Sequence, residues 1–321
     1  MSPKPYASQY KDQPAITIAS EAVAAQFLPG VGAKLASLIY RPANLELLVQ
    51  RPAAAYRLAA YDGDYVLDGE CSGLDDMFPS IDRCFYESYP WRGTPIPDHG
   101  EVWSLPWDCE VEENRLHFTT CGVRFPYRLD KWISFRGEET LHSAYRLTNL
   151  SAFDFDFMWA AHPMFVMEEN AQVHLPAGVA KAITIFSLSG AFGHYGDEFA
   201  WPVATLADGR TLDLRRVRPK TACDTEKYFI KGRLPEGWCE LTYPLSGTTL
   251  CMEFPVEQVP DLAILSNPGG WQNLYNIFLE PATAPFDRPD VARLHGEGST
   301  VKARSTYEGY LDISLSPLEE K

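Results

Sequence analysis

The sequence predicts an all-β protein in which large antiparallel sheets pack together within one domain. Apolar and polar residues alternate through many short segments, and glycine or proline separates these segments at short intervals. This pattern is typical of β-strands joined by turns. No amphipathic segment exceeds about two helical turns, and no repeat has a solenoid or propeller period. Because twisted sheets of many strands must hide their faces and edges, we expect the sheets to stack or close.

The predicted strands follow one another along most of the chain. Residues 1–14 are polar, contain proline and predict a loose tail, whereas residues 15–321 show no internal boundary and predict a single β domain. An N-terminal meander is predicted at 15–19, 21–29, 30–40 and 45–50. A hairpin is predicted at 109–118, and further strands at 127–135, 141–149, 153–161, 181–186, 226–232, 238–243, 248–254, 261–266 and 304–315.

Two segments do not show the strand pattern. Residues 70–107 are repeatedly interrupted by glycine and proline and are rich in aromatic and ionisable residues. A long irregular stretch inside a domain usually forms a functional loop or a lid. Residues 205–225 are polar and predict a loop excursion.

Charge and composition exclude several classes of partner. The 321 residues carry a net charge of −15, which opposes binding to nucleic acid and to anionic membranes. No segment approaches the roughly 20 apolar residues that span a bilayer, and the N-terminus lacks the apolar run of a signal peptide. The seven cysteines are scattered without a Cys-x-x-Cys pair, which predicts neither a zinc site nor a disulfide framework. We therefore expect a cytoplasmic protein with a neutral or cationic partner.

The stretch 149–165 contains the first candidate for chemistry. Phe153 to Phe157 alternate apolar and acidic residues, and continuing that alternation puts His162 on the face opposite Trp159. Pro163 removes a ladder donor, so the strand should end or leave the sheet here. An imidazole at the end of a rigid strand is well placed to give a proton to a sugar. The alternative is a structural histidine held by hydrogen bonds.

Two other stretches each set a titratable group beside proline or glycine at an apparent strand end. One is 97–107, which contains Asp98-His99-Gly100-Glu101, and the other is 277–287, which contains Glu280-Pro281. The alternative for Glu280 is a surface carboxylate, and His99 could simply pair with its acidic neighbours.

These three stretches, in this order, resemble the galactose mutarotase-like family, the aldose 1-epimerases. The likeness lies in a His-Gly motif followed by an aromatic run, a strand that ends in His-Pro-x-aromatic, and a late strand that carries Glu-Pro. The segments 29–38 and 77–83 are similar to the family as well, so the resemblance covers about residues 15 to 315.

The resemblance implies a β-supersandwich fold and a sugar 1-epimerase that needs no metal and no cofactor. It implies that Glu280 is the general base for the anomeric hydroxyl, that His162 is the general acid for the ring oxygen, and that His99 binds a sugar oxygen. Anomer exchange requires the C1 hydroxyl to lose a proton while the ring oxygen gains one, and a carboxylate with an imidazolium can do both. We expect burial to raise the pKa of Glu280 and the nearby acid to keep His162 protonated.

Other residues are candidate ligands of the sugar. Arg83 could bind a sugar or its phosphate, with a surface ion pair as the alternative. Trp103, Trp107 and Trp159 could form a stacking wall, with a place in the core as the alternative. The aspartate that binds sugar hydroxyls in these enzymes has no clear counterpart, and Asp261 is the candidate beside Asp224.

The sequence departs from the family at Ile81-Asp82-Arg83, where the better-known galactose mutarotases have an Asn-Arg pair, and therefore predicts a divergent member whose substrate identity does not carry over. Basic residues that could face a sugar phosphate are Arg83, Arg92 and Lys227.

Two other functions remain open alongside the epimerase. A carbohydrate-binding protein would keep the sandwich and the aromatic wall without an acid facing a base. A glycoside hydrolase or lyase would need a second carboxylate about 5 to 10 Å from the first, which Asp98 or Glu101 could supply. The sequence is compatible with a homodimer.

Overall fold

The computed structural model describes residues 4–319, and its regular secondary structure is almost entirely β-strand. The strands up to residue 149 are β1 (Tyr6–Tyr10), β2 (Gln13–Ala19), β3 (Val23–Leu28), β4 (Lys34–Tyr40), β5 (Leu45–Glu46), β6 (Leu74–Met77), β7 (Cys84–Phe85), β8 (Pro95–Ile96), β9 (Asp108–Glu112), β10 (Arg115–Cys121), β11 (Tyr127–Arg136) and β12 (Thr140–Asn149). The later strands are β13 (Phe155–Phe157), β14 (Ala160–Pro163), β15 (Phe165–Val166), β16 (Gln172–His174), β17 (Lys181–Ser187), β18 (Glu198–Ala200), β19 (Val203–Thr205), β20 (Thr211–Asp213), β21 (Glu226–Ile230), β22 (Trp238–Tyr243), β23 (Thr248–Glu253), β24 (Asp261–Pro268), β25 (Tyr275–Ala282), β26 (Ser299–Val301) and β27 (Thr306–Pro317).

Helical structure is sparse. The described chain has 3₁₀ turns at Val102–Ser104 and Lys220–Ala222 and a six-residue helix, α1 (Pro289–Leu294). Between residues 4 and 319, no helix has the length and apolar character that crossing a membrane requires.

Two large antiparallel sheets form the body of the molecule. The larger has 13 strands in the order β1-β2-β3-β4-β6-β14-β25-β24-β21-β17-β18, with β5 paired to β4 and β15 paired to β25. The smaller has eight strands in the order β16-β22-β23-β27-β12-β11-β10-β9. The ring of Phe27 on β3 lies 5.7 Å from that of Phe118 on β10, so the main core fills the space between the sheets. The prediction of an all-β fold with large packed antiparallel sheets is confirmed.

The prediction of a loose tail at residues 1–14 is wrong for most of that segment. Strand β1 pairs antiparallel with β2, from Tyr6 opposite Thr17 to Tyr10 opposite Gln13. The predicted loose tail at 1–14 is therefore largely the edge hairpin of the larger sheet, and its first three residues lie outside the described chain. The error arose because proline and polar side chains suit an edge strand as well as a loop.

The stretch 153–163 is divided into two strands that belong to different sheets. Phe155 and Phe157 are buried in β13, as the alternation predicts, but Phe153 is 41% exposed. After a two-residue break the chain joins the larger sheet as β14, which ends at Pro163. His162 is thereby fixed near the centre of that sheet, between β6 and β25.

Candidate active site

The candidate site lies on the outer face of the larger sheet, away from the core between the sheets. Strand β14 supplies His162 and β25 supplies Glu280. Ala160 is paired with Ala282 in these antiparallel strands. His162 is two residues after Ala160, and Glu280 is two residues before Ala282, so His162 and Glu280 lie opposite each other. Residues directly opposite each other point to the same face of a sheet. The fold thus brings together two groups that are 118 residues apart in sequence (280 − 162).

The imidazole of His162 is enclosed by aromatic rings and one carboxylate. Its Nε2 atom lies 3.8 Å from Oε1 of Glu280. The ring centroid is 4.6 Å from that of Phe278, 5.2 Å from that of Tyr65 and 5.3 Å from that of His99. The other nitrogen, Nδ1, is buried and has no hydrogen-bond partner among residues 4–319. The surroundings therefore hold the ring in place without fixing its tautomer.

The charge state of His162 differs from the one expected from the sequence. Burial lowers the pKa of His162 well below its usual 6.5, and the positive charges of His99, Lys227 and Lys34 lower it further. The imidazole is thus neutral at pH 7. We expected the nearby acid to keep the ring protonated; that expectation is wrong because the dry, cation-rich surroundings disfavour a second positive charge.

Glu280 is fully buried and forms an ion pair with a lysine. The Nζ atom of Lys227 on β21 lies 2.9 Å from Oε2 of Glu280 and 2.9 Å from Oδ1 of Asp287. Strand β24 runs between β21 and β25, and its Ala263 lies directly opposite Glu280. Lys227 lies opposite Leu265, two residues along β24 from Ala263 and on the same face, so its side chain crosses β24 diagonally to reach Glu280. Oε1 of Glu280, the oxygen that faces His162, has no hydrogen-bond partner in the described chain.

The lysine and the carboxylates shift one another's pKa values. Burial raises the pKa of Glu280 above its usual 4.5, while the ammonium of Lys227 opposes the rise. Burial alone would lower the pKa of Lys227, but the carboxylates of Asp287 and Glu280 outweigh it and the pKa rises. Lys227 is therefore a fixed buried cation beside the candidate base.

A left-handed turn positions His99. His99 and Gly100 have φ values of 57° and 76°, and a Cβ on Gly100 would lie 2.1 Å from the carbonyl oxygen of Phe78. Only glycine fits at that second position. The turn is held by the His99 amide, which donates a 2.6 Å hydrogen bond to the carbonyl of Ile81. Nδ1 of His99 lies 3.1 Å from Oδ2 of Asp98, so its other nitrogen is the one left for a ligand.

Tyr65 connects His99 to a buried ion pair and was not predicted from the sequence. Its ring stacks on His99 at 4.3 Å with an interplanar angle of 15°, and its hydroxyl donates a 2.8 Å hydrogen bond to Oδ2 of Asp75. The same oxygen lies 3.0 Å from Nζ of Lys34. Burial raises the pKa of Asp75, and the lysine and the tyrosine hydroxyl oppose the rise. The stacked tyrosine thus gives His99 a rigid backing.

A cavity of about 210 Å³ opens in front of the two histidines. Its walls are mostly aromatic or aliphatic, and they are formed by Tyr65, Val66, His99, His162, Phe186, Leu188, Thr225, Leu265, Gly270, Trp271 and Phe278. Glu280 and Lys227 lie behind this lining, next to His162. The structure therefore brings His162 and His99 together at one cavity, and it places Glu280 against His162 but outside the cavity lining.

The three predicted tryptophans do not line this cavity, and Trp107 is buried in the main core. Trp103 is buried behind Tyr65, with the ring centroids 5.0 Å apart, so it supports the wall from the second layer. Trp159 packs between the two sheets, 4.8 Å from the ring of Tyr145, and its indole N–H donates to Oδ1 of Asp76 at 3.1 Å. The expectation that Trp159 stacks on a ligand here is therefore corrected: Trp159 immediately precedes β14, and its side chain points into the core, on the face opposite His162.

Two other predicted ligands also lie outside the cavity. Arg83 lines a separate hollow with Arg124 and Arg288, and its guanidinium donates to the carbonyl of Asp62. Asp261 is 4% exposed at the start of β24, and burial raises its pKa to about 8. These positions do not support contact between Arg83 or Asp261 and a ligand in the cavity.

One cluster of the described chain has the spacing of a metal site, but it lies elsewhere. Glu110 and Glu112 on β9 and His117 on β10 are within reach of one ion. His117 also lies 3.4 Å from Glu112 and 3.0 Å from Asp130. Ordinary ion pairs account for this group, and none of these residues lines the cavity.

The architecture defines a class: the chain has the galactose mutarotase-like fold. A galactose mutarotase-like protein from Clostridium acetobutylicum is similar over 98% of this chain and 99% of that chain, with a TM-score of 0.68 and 14% sequence identity. A Lactobacillus casei protein of the same description matches over 94% and 100%, with a TM-score of 0.62 and 18% identity. A Klebsiella pneumoniae protein described provisionally as an aldose 1-epimerase matches over 98% and 82%, with a TM-score of 0.70 and 14% identity.

Comparison at the level of sequence gives nothing further. No protein-family model matches the chain, and no curated protein matches it. At these identities the solved structures establish a shared fold.

Proposed function

We propose that this protein is an aldose 1-epimerase that interconverts the α and β anomers of a small sugar. The observation that carries the proposal is the 3.8 Å approach of His162 Nε2 to Glu280 Oε1 at the base of a cavity that His99 also lines. An acid and a base that face each other beside a sugar-sized space are what ring opening needs. The shared fold with galactose mutarotase-like proteins supports the same reaction class.

The reaction is a pair of proton transfers followed by rotation and reclosure. The base removes the proton of the C1 hydroxyl while the acid protonates the ring oxygen, and the C1–O5 bond breaks to give an open aldehyde. Rotation about C1–C2 presents the other face of the aldehyde, and the two transfers then run in reverse. His99 would hold a sugar oxygen, because it lines the cavity while its Nδ1 atom lies beside Asp98.

The charges of the site define which protonation state is active. The pair of His162 and Glu280 must hold one proton, so that one group can give it while the other receives one. Burial lowers the pKa of His162 and raises that of Glu280, so burial opposes the charged form of each group. The ammonium of Lys227 opposes the rise at Glu280 and so favours the carboxylate that acts as the base.

A second candidate is a carbohydrate-binding protein without catalysis. The observation that favours it is the full burial of Glu280, which does not itself line the cavity. Epimerisation requires this carboxylate to reach the sugar when His162 and the ligand rearrange, whereas binding does not. Measurement of anomer exchange separates the two functions.

The deciding experiment compares Glu280→Gln with the wild-type protein on freshly dissolved α-anomers of aldoses, 6-deoxyaldoses and aldose phosphates. We expect Glu280→Gln to lose catalysed exchange, by polarimetry or by magnetisation-transfer NMR, by at least about 100-fold because the base is gone. Glu308→Gln, at an exposed ion pair with Arg146, is the matched control and should keep full activity. Wild-type protein that never exceeds the buffer rate, but still binds a sugar, would establish the binding function instead.

A further inference from the structure

Trp271 lines the active-site cavity, and its indole N–H group has no hydrogen-bond partner among residues 4–319. The hydrogen bonds of Trp271 use its backbone instead. Its amide donates to Oδ1 of Asn267 at 2.9 Å, and its carbonyl accepts from Nδ2 of the same asparagine at 3.1 Å. An indole nitrogen can only donate. Because the side chain is half-buried, this donor is open to a ligand in the cavity.

Thr225 lines the same cavity and offers an acceptor. Its Oγ1 atom lies 2.8 Å from Oδ1 of Asn267 and 2.8 Å from the carbonyl oxygen of Asp224. Both of these atoms are acceptors, because the Trp271 amide donates to the same Oδ1 and so identifies it as the oxygen of the Asn267 amide. The one hydroxyl hydrogen of Thr225 therefore points to the protein, and its oxygen can still accept a hydrogen bond from a ligand.

One buried side chain fixes both residues. Asn267 is fully buried on β24, where its Oδ1 accepts from Thr225 and Trp271 and its Nδ2 donates to the Trp271 carbonyl. The turn before Trp271 is fixed as well, since a Cβ on Gly270 would lie 2.5 Å from the carbonyl carbon of Asp224. The donor and the acceptor are therefore held in place before a ligand arrives, which reduces the entropy lost on binding.

These two residues lie across the cavity from the candidate acid. His162 is on β14, whereas Thr225 lies just before β21, three strands further along the larger sheet, and Trp271 follows the intervening strand β24. In a pyranose, C4 is across the ring from C1, and C3 is across the ring from the ring oxygen. A sugar whose C1 and ring oxygen face the histidines therefore turns its C3 and C4 hydroxyl groups toward Trp271 and Thr225.

The cavity holds a single sugar ring. Its volume of about 210 Å³ is below the range of roughly 300 to 1,000 Å³ typical of drug-sized ligand sites, so a ring that fills it contacts both ends at once. Phe186, Leu188 and Leu265 form the rest of the far wall and have no hydrogen-bonding side chain. Trp271 and Thr225 thus supply the polar side-chain contacts of this wall.

We infer that Trp271 and Thr225 are specificity-determining residues that bind the C3 and C4 hydroxyl groups of the substrate, an inference that rests on the proposed function. The indole N–H donates to one hydroxyl group, and Oγ1 of Thr225 accepts from the other. The substrate class is therefore an aldopyranose in which both hydroxyl groups are free. An aldose that lacks either one would leave the donor or the acceptor unpaired in a mostly apolar cavity, which is unfavourable.

The test removes one sugar hydroxyl group at a time. Anomer exchange is measured by magnetisation-transfer NMR on D-glucose, D-galactose and D-mannose, and on the 3-deoxy, 4-deoxy and 6-deoxy derivatives of whichever sugar is exchanged fastest. Each rate is corrected for the exchange of that sugar in buffer. We expect kcat/KM for the 3-deoxy and 4-deoxy sugars to be about tenfold lower than that of the parent sugar, because each has lost one hydrogen bond to the wall.

Two variants assign each hydroxyl group to its partner. Trp271→Phe removes the N–H group but keeps a ring, and Thr225→Val removes the hydroxyl group at nearly the same volume. Each should lower kcat/KM for the parent sugar by about tenfold and have no further effect, within about twofold, on the deoxy sugar that lacks its partner. The loss with the 6-deoxy sugar should equal the loss with the parent sugar, because the C5 substituent does not face this wall.

Two control variants keep the proposed contacts. Trp238→Phe removes an indole N–H that donates to Glu236 outside the cavity, and Thr225→Ser keeps a hydroxyl group at position 225. Both should retain the substrate preferences of the wild type. Trp271→Phe changes a half-buried side chain, so it decides the outcome even if Thr225→Val does not fold.

The possible outcomes separate this inference from the proposed function. Undiminished exchange of the 3-deoxy and 4-deoxy sugars by the wild type would overturn the inference while the epimerase activity stands. Losses from Trp271→Phe and from deoxygenation that add for both sugars would also overturn it, because the indole N–H would then bind neither hydroxyl group. No exchange of any aldose would remove the proposed function, and the inference with it.

Discussion

The ammonium of Lys227 lies 2.9 Å from the carboxylate of Glu280, inside the larger sheet and shielded from water. This contact connects two strands that are not neighbours, because β24 runs between them. The lysine stabilises the ionised form of Glu280 and also lowers the pKa of His162. One cation therefore influences both members of the candidate acid–base pair.

Replacing Lys227 with methionine should move both pKa values in the same direction. Without the ammonium, the pKa of Glu280 rises because its counterion is gone, and the pKa of His162 rises because a repulsion is gone. We expect the His162 titration, followed by NMR of the imidazole C–H groups, and both limbs of the pH–rate profile to shift upward by about one pH unit.

The variant leaves Glu280 and Asp287 buried without a cation, so it should also unfold at a lower temperature. That loss should shrink at low pH, where the carboxylates can take up protons. Lys181→Met is the control, because it removes an exposed lysine that pairs with Glu198. It should change neither the pKa of His162 nor that of Glu280. A His162 titration that does not respond to Lys227→Met would contradict the electrostatic role given to the lysine.

Loss of the Tyr65 hydroxyl should weaken sugar binding less than loss of the Tyr65 ring. Tyr65→Phe keeps the stacking surface under His99 but removes the donor to Asp75, which remains paired with Lys34. We expect a stability loss of about 1 to 2 kcal/mol with little change in sugar affinity. Tyr65→Ala removes the backing of His99 and should weaken sugar binding by at least about tenfold.

Thermal unfolding and isothermal titration calorimetry measure the two effects separately. Tyr89→Phe, at a tyrosine that is 75% exposed, is the control and should alter neither quantity. If Tyr65→Phe weakened binding as much as Tyr65→Ala, the hydroxyl rather than the stacked ring would be the important group.

The fold could be predicted from the sequence because most strands have one buried and one exposed face. β12 shows this alternation, and the predicted and observed bounds of β11 and β12 differ by one residue at most. The prediction at 153–161 merged two strands, because a period of two does not reveal that Met158 and Trp159 lie between strands of different sheets. The polar segment 205–225, predicted as a loop, contains β20, which pairs with β19 in a hairpin. This strand is too short and too polar for the sequence pattern to indicate it.

The candidate site was predictable only where a motif marked it. His99, His162 and Glu280 each lie beside glycine or proline at the edge of a strand pattern, and these signals single them out. Lys227 lies in Glu226–Ile230, where all five residues are buried, so no alternation distinguishes it as functional. Tyr65 lies in an irregular segment without a motif, and only the three-dimensional arrangement shows that it stacks on His99. Lys227, a candidate for phosphate binding from the sequence, is a buried counterion of Glu280 and Asp287 in the structure.

Asp261 should limit stability at neutral and alkaline pH. Burial raises the pKa of Asp261 from 3.8 to about 8 in the folded protein, and the charge of Glu297 adds to this. The folded state therefore prefers the protonated form, and stability falls as pH rises from about 4, the unfolded value, to about 8. Asp261→Asn imitates the protonated form, so it should raise the free energy of unfolding by about 1 to 3 kcal/mol at pH 8 and have no effect near pH 3.

Urea unfolding at several pH values measures this difference. Asp154→Asn is the control, since its exposed carboxylate bonds to Lys302 and has a lowered pKa, so it should not stabilise at any pH. Catalysed exchange by Asp261→Asn should equal that of the wild type, because the residue lies outside the cavity. A stability difference that does not grow between pH 4 and pH 8 would show that Asp261 is not held protonated.

Removing one partner of the ion pair between Lys131 and Asp76 should destabilise the protein more than removing both charges together. Lys131 on β11 lies 2.8 Å from Asp76 on β6, so the ion pair joins the two sheets inside the core, and both side chains are almost fully buried. Lys131→Met leaves an unpaired buried carboxylate, and Asp76→Asn leaves an unpaired buried ammonium. We expect each single variant to lose about 3 to 5 kcal/mol of unfolding free energy.

The double variant Lys131→Met with Asp76→Asn removes both charges, so its loss should be smaller than the sum of the single losses by at least about 2 kcal/mol. The amide of an asparagine at 76 can still accept the indole N–H of Trp159, which keeps that ring in place. Urea unfolding of the four proteins at one pH gives this coupling energy. Additive losses would mean that the two side chains contribute to stability independently of each other, and that their ion pair adds no coupling energy.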